Sequence, residues 1–305
     1  MLQVFCFQVH CLTNSLRAFL TLINGRSDCR ALIHVDAKTD ITPFLPLASE
    51  KVELLSERVQ VTWGGVSQAV VMFKFVKETR KRFKSPFYFH HLSGEDIVLT
   101  DLSTITEFLS RKYPAEFIGF DGGVRPSAQA VLRVRYKYPD FFRTKNQSFY
   151  IAVIRAITRA MFSVGFFRSR LEAQYNQWYK GSNWFSITDQ AIKVIAEDPR
   201  VEFALENARR SLCFDEVLFH TVLANSERRR LIFQTYCGLE NDNIASLRYV
   251  NWVDGPAYPK VLDLSDIPDS FSSPVFFARK ISTEVTSNEI LEFVASRSPL
   301  ASSSR

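Results

Sequence analysis

An α/β fold, with a central mostly parallel sheet flanked by helices, is predicted by three observations. Leu2–Gln8 and Ala31–Val35 are short apolar runs of the kind that form strands buried on both faces. Asn14–Leu22, between them, has helical periodicity and a polar start. Neither an internal repeat nor a clear linker divides the 305 residues, so 1–290 read as one domain and 291–305 as a partly disordered C-terminal tail.

Strand, helix, strand at this spacing makes a parallel unit. Ligands of such sheets bind beyond the carboxyl ends of the strands, where His34, Val35 and Asp36 would lie. Val59–Thr62 reads as a third strand, followed by the turn Trp63-Gly64-Gly65 and a helix from Ser67 to about Arg82. Pro86–Leu92 is a fourth strand that runs into Ser93-Gly94-Glu95-Asp96, and Leu102–Arg111 and Glu116–Gly119 are the next helix and strand. Residues 122–180 depart from the alternation as a basic and aromatic insertion. There Arg133, Arg135, Lys137, Arg143 and Lys145 alternate with aromatics, and Phe149–Phe167 is apolar apart from Arg155 and Arg159. That stretch reads first as a helix packed on the domain with its arginines turned to solvent. The alternative is an amphipathic helix resting on a membrane surface. Beyond it, Ser182–Ser186 reads as a strand, and Thr188–Ala196 and Ser211–Ala224 as helices.

Charge narrows the class of partner. A net charge of +6 suits an anionic ligand, but the basic residues gather into no long arm, which argues against nucleic acid. Five cysteines (Cys6, Cys11, Cys29, Cys213 and Cys237) form no CxxC pair, so reduced thiols are expected rather than a disulfide framework or a zinc site. The first residues lack the pattern of a secretory leader, and no apolar run reaches the ~18 residues of a membrane span. A cytoplasmic location follows as the expectation, with peripheral contact at the inner face of the cell membrane as an extension of it.

Three segments carry candidate chemistry. Phe214–Ser226 (FDEVLFHTVLANS) opens with Asp215-Glu216 at the head of its helix. One carboxylate can face a site as a general base while the other caps the helix, and Glu216 is read as the base with Asp215 as its structural partner. Leu247–Lys260 (LRYVNWVDGPAYPK) supplies Trp252, Asp254 and Lys260. Phe276–Lys280 (FFARK) ends in Arg279-Lys280, two cations suited to a departing diphosphate. Trp184 and Trp252 offer flat faces for a sugar ring, and Trp63 stands beside paired glycines that let backbone approach a ligand. The five histidines form no HxH or HxxxH pattern, so metal binding is not expected. Neither GxxxxGK[ST] nor GxGxxG occurs.

The blocks IHVDAKTD, RVQVTWGGVSQAVV, HLSGEDIVL, GSNWFSIT, FDEVLFHTVLANS, LRYVNW and FFARK, in this order, resemble the core-2/I-branching β-1,6-N-acetylglucosaminyltransferase family, glycosyltransferase family 14. That family also holds peptide O-xylosyltransferases. The compact length is similar to that of bacterial members. The resemblance implies a GT-A-like fold acting on a UDP-sugar without a divalent metal. It implies Glu216 as catalytic base, Lys280 at the donor diphosphate, and Val35, Asp36 and Trp63 near the uridine; the second diphosphate cation, an Arg in the mammalian enzymes, has no clear match, and Lys260 is the nearest by position. Trp252 matches an acceptor-binding aromatic, whereas Asp254 stands where the mammalian enzymes carry a second aromatic. An inverting transfer of N-acetylglucosamine to a saccharide or glycolipid hydroxyl is therefore expected. Transfer of xylose, or a non-catalytic saccharide-binding role in polysaccharide assembly, are the alternatives.

Overall fold

A computed structural model describes residues 1–84, 86–143, 148–234, 243–255 and 258–298. Lys145, Cys237 and all but the first residue of the Ser298–Arg305 tail lie outside the described residues.

Five strands form the main sheet in the order β3-β2-β1-β4-β6. They are β1 (Leu2–Val9), β2 (Cys29–Val35), β3 (Val52–Leu54), β4 (Phe87–Ser93) and β6 (Ser186–Thr188). The first four are mutually parallel and β6 is antiparallel to β4, with Phe89 opposite Ile187. A second sheet sets β8 (Phe277–Arg279) between β5 (Ile97–Val98) and β7 (Arg248–Val250). β8 is antiparallel to β5 and parallel to β7, which places Val250 beside Arg279.

The pleat of β1 sorts its side chains between two cores. Val4 and Cys6 face one core, shared with α2 (Val66–Arg82), α6 (Asp189–Glu197) and α8 (Leu218–Ala224). Phe5, Phe7 and Val9 face the other, shared with α1 (Asn14–Asn24), α3 (Leu102–Lys112), α9 (Ser287–Ser296) and the second sheet. Local signals set several helix starts. Thr13 caps α1 by accepting from the Leu16 N–H, Asp101 caps α3 at Thr104, and Thr286 with Glu289 forms a capping box on α9. Residues 291–296, read above as the start of the tail, belong to α9, whose Ile290 and Val294 are buried.

Several expected elements differ, each for a visible reason. Val59–Thr62 joins no ladder, because its N–H groups are taken by side chains: Val59 donates to His34 Nε2 (2.8 Å) and Val61 to Asp36 Oδ1 (3.3 Å). Glu116–Gly119 makes only isolated bridges, Glu116 to Ile232 and Phe117 to Ser186. The strand expected at Ser182–Ser186 forms later, at Ser186–Thr188. Ser211–Ala224 is broken at Cys213, whose φ of 46° is left-handed, and a 3₁₀ turn over Phe214–Glu216 precedes α8.

The insertion contains α4 (Ala128–Arg135), α5 (Phe149–Ser163) and, after the 3₁₀ turn Leu171–Gln174, the run to Lys180. Of the two arginines expected to face solvent from α5, Arg159 is exposed and Arg155 is not. Arg155 turns inward, with Nη2 donating to the Phe141 carbonyl at 2.8 Å, and Arg159 sits 5.8 Å from the centroid of Phe142. Phe162 is buried on the inner side, while Phe149, Val153 and Ile157 are left to solvent.

Candidate active site

The carboxyl ends of β1, β2, β4 and β8 gather on one edge of the molecule. Asp36 donates its N–H to the Val9 carbonyl (2.8 Å), Ile281 donates to the Glu95 carbonyl (3.0 Å), and Thr13 bonds the Gly94 carbonyl. Residues singled out from the sequence lie along this edge, joined by the segment Gly181–Trp184.

At one end of that segment stands Glu216. Its Oε2 is held by Arg133 of α4 at 2.5 Å and by Lys180 at 3.6 Å, and Lys180 also pairs with Asp121. Both cations engage the same oxygen, and the carboxylate is about one-third exposed. Among the described residues neither cation reaches Oε1. Arg133 further binds the carbonyl of Cys213 at 3.2 Å, so the strained residue that breaks the helix is tied to the cation that orients the carboxylate.

Asp215 does not cap a helix, as had been expected. Neither the 3₁₀ turn nor α8 has a side-chain cap, and Asp215 is buried, with Oδ2 accepting from Asn183 Nδ2 at 2.7 Å. Burial, followed by the neighbouring charge of Glu216, raises its pKa to about 7, and its Oδ1 has no partner.

Asn183 links the two ends. Its carbonyl accepts from His91 Nδ1 at 2.7 Å, and the His91 ring stacks on Trp184 at 5.0 Å. The guanidinium of Arg279 lies over the same indole, 4.0 Å from its centroid. Gly181 leaves no choice of residue at the head of the segment, since a Cβ there would fall 1.8 Å from the Gly119 carbonyl oxygen and 2.7 Å from His220 Nε2. Its N–H donates to the Glu216 carbonyl at 3.0 Å, which fixes the segment to the acidic turn.

The basic end differs in construction. Arg279 Nε approaches Asp96 Oδ1 to 3.2 Å, and Asp96 is itself buried and bonded by the N–H and hydroxyl of Ser93. Burial is the first cause raising the pKa of Asp96, opposed by Arg279. Lys280 pairs with Glu95 Oε1 at 2.9 Å and is more exposed, 37% against 13% for Arg279. Lys260 is tied to Asp266 at 2.7 Å, and the segment that follows it is joined to this end by the Leu262 N–H bond to the Lys280 carbonyl (2.8 Å). Trp252, 41% exposed, and Asp254 lie on the loop leaving β7, where Asn251 bonds Asp254 Oδ2 at 2.9 Å.

The proposed uridine residues divide. The side chain of Val35 is buried in the core, so only its backbone can face a ligand. Asp36 Oδ1 accepts from the N–H groups of Lys38 (3.0 Å) and Val61 (3.3 Å), which organises the loop leading to Trp63. Trp63 is exposed. The next residue, Gly64, has a φ of 67° and accepts from the Cys213 N–H at 2.8 Å, placing this turn against the acidic segment. His34 is buried, and its pKa falls to about 4 through loss of solvation.

Sequence reasoning missed Arg133, Lys180 and Asn183 as site residues. Asn183 lies inside the block GSNWFSIT and Arg133 among the basic residues of the insertion, but nothing local to either shows which carboxylate it meets. Among the described residues no three His, Cys, Asp or Glu side chains gather closely enough to hold a metal ion. Cys6, Cys11, Cys29 and Cys213 have free thiols.

A mostly parallel sheet with functional groups beyond its carboxyl edge is the GT-A-like arrangement of a glycosyltransferase. The family model for the Core-2/I-Branching enzyme matches residues 28–273, and the chain belongs to that family. The matched span contains Asp36, Trp63, Trp184, Glu216, Trp252 and Lys260, and stops short of Arg279 and Lys280. Comparison with curated proteins returns no match. The family implies a nucleotide-sugar donor and a saccharide acceptor.

Proposed function

We propose that the chain is an inverting transferase that moves N-acetylglucosamine from a UDP-sugar to a hydroxyl of a saccharide or glycolipid, forming a β-linkage without a divalent metal. The observation that supports this most is the contact chain Glu216–Asp215–Asn183–Trp184–Arg279. It ties a carboxylate with one open oxygen to a pair of cations through one short segment. Glu216 Oε1 takes the proton of the acceptor hydroxyl. The hydroxyl oxygen forms its bond to the anomeric carbon as the bond to the diphosphate oxygen breaks, with oxocarbenium character between. Lys280, with Arg279 and Lys260 beside it, meets the charge that grows on the departing diphosphate. Cation pairs can do here what a bound metal does elsewhere.

Glu216→Gln keeps the shape of the side chain and an oxygen that can accept from Arg133, but loses the charge paired with Arg133 and Lys180 and cannot accept a proton. It is expected to lower turnover by roughly a thousand-fold while calorimetry shows unchanged UDP affinity. Activity is expected to survive excess EDTA. Full turnover in the Gln variant, or loss of activity to the chelator, overturns the mechanism. A screen of UDP release across donors separates N-acetylglucosamine from xylose.

A further inference from the structure

We propose that the outer face of α5 is a docking surface for an anionic lipid bilayer. Phe149, Val153, Ile157, Ala160 and Val164 recur at intervals of three and four and so form one stripe along the helix. That stripe points to solvent: Phe149 is 84% exposed, Ile157 57% and Val164 72%. Tyr150 and Phe166 extend it at either end, at 73% and 57%. The inner side of the helix is already occupied, with Phe162 and Thr158 buried and Arg155 on the Phe141 carbonyl, so the outer stripe is a second, uncovered apolar face. A contiguous exposed stripe of phenylalanine, valine and isoleucine on a helix whose other side is already packed marks a surface that something apolar covers.

Charge identifies the cover. From Phe141 to Leu171 the sequence contains no Asp or Glu. The exposed cations Lys137, Arg159, Arg168 and Arg170 surround the stripe, and the Lys137 N–H bonds the Phe167 carbonyl at 2.7 Å, which sets that lysine beside the aromatic end. The turn leaving the helix holds Phe167 at a φ of 58°, in the left-handed region that a bulky residue avoids, with Phe166 and Phe167 both exposed. An apolar stripe ending in aromatics and rimmed by cations matches the boundary between headgroups and acyl chains of a negatively charged membrane. No helix among the described residues is long and apolar enough to cross a membrane, so α5 would lie in the plane of the surface.

Flotation of the full chain with phosphatidylglycerol-containing vesicles, and with phosphatidylcholine vesicles alone, tests this at low and high salt. The expected result is binding to the anionic vesicles only, weakened at least tenfold by high salt. Ile157→Glu combined with Val164→Glu should abolish it, since both side chains are already in solvent and the fold, followed by circular dichroism, should persist. Arg168→Glu combined with Arg170→Glu should weaken binding by roughly thirty-fold or more, with the apolar stripe intact. Turnover on a water-soluble acceptor should be the same in all these variants. The proposal is overturned if the chain stays unbound with anionic vesicles, or if the Ile157→Glu, Val164→Glu variant binds like the parent. It is also overturned if sedimentation shows a dimer that this variant dissociates.

Discussion

The two ends of the Gly181–Trp184 segment hold charge in opposite ways. At the acidic end one carboxylate, Glu216, is oriented by two cations, and at the basic end two cations are each matched by an acid. The acidic end draws its partners from distant parts of the chain, Arg133 on α4 and Lys180 at the close of the insertion. The basic end is a meeting of the loop Glu95-Asp96 after β4 with the end of β8, Arg279-Lys280. The basic end is also graded. Arg279 is nearly sealed between Asp96 and Trp184, whereas Lys280 reaches solvent past Glu95. In the proposed reaction adjacent cations divide the work, Arg279 holding the site together and Lys280 turning to a phosphate.

Cutting the link between the ends should have the largest effect. Gly181→Ala forces a Cβ into the Gly119 carbonyl and His220, and is expected to cost more than about 3 kcal/mol, seen as a large drop in melting temperature. An unchanged melting temperature would show that the segment is not held where it lies.

The grading at the basic end predicts a split. Arg279→Ala leaves Asp96 buried without its cation and is expected to destabilise the fold by about 3 kcal/mol. Lys280→Ala should leave the melting temperature nearly unchanged, because a partly exposed pair contributes under about 1 kcal/mol. It should instead reduce kcat/KM for the donor by roughly ten- to a hundred-fold, the scale of a charge-assisted contact. Equal effects of the two variants on stability and on kinetics would erase the distinction.

The smallest effect concerns pH at the acidic end. Asp215 has a pKa of about 7 in the fold against an ordinary 3.8, so the folded chain binds the extra proton between these values. Its contribution to stability is complete below about pH 4 and disappears as pH rises through 7. Asp215→Asn keeps an acceptor for Asn183 and removes this titration. Its melting temperature should therefore gain on the parent's as pH rises from 4 to 7, and parallel curves would refute the assignment. Burial moves His34 and His91 the other way, to about 4 and 3, so both lose stability as pH falls below about 6.5. These histidines are common to parent and variant, and the difference between the two curves isolates Asp215.

Much of the scaffold was legible because it rests on local patterns. The apolar runs of β1, β2 and β4, the helical periodicity of α1, α2, α3 and α6, and the polar caps at Thr13 and Asp101 all act within a few residues. The errors fall where a long-range partner replaced a local one. The N–H groups of Val59 and Val61 found His34 and Asp36 instead of a strand, and the helix expected at Ser211 broke where Arg133 and Gly64 bind Cys213. The two short partners of β8 escaped notice because strands of two or three residues leave almost no periodic signal.

By itself the sequence determined the parallel α/β core, the membership of its motif blocks in one glycosyltransferase family, and the choice of Glu216 and Lys280 as residues to watch. These follow from residue type and spacing, which are properties of the chain. Only the tertiary structure decided that Glu216 is held by Arg133 and Lys180, that Arg279 is sealed and Lys280 open, and that α5 turns Arg155 inward while a stripe of its apolar residues faces out. Each of those depends on which distant charge or ring arrives at a given side chain, and spacing along a chain carries no record of that.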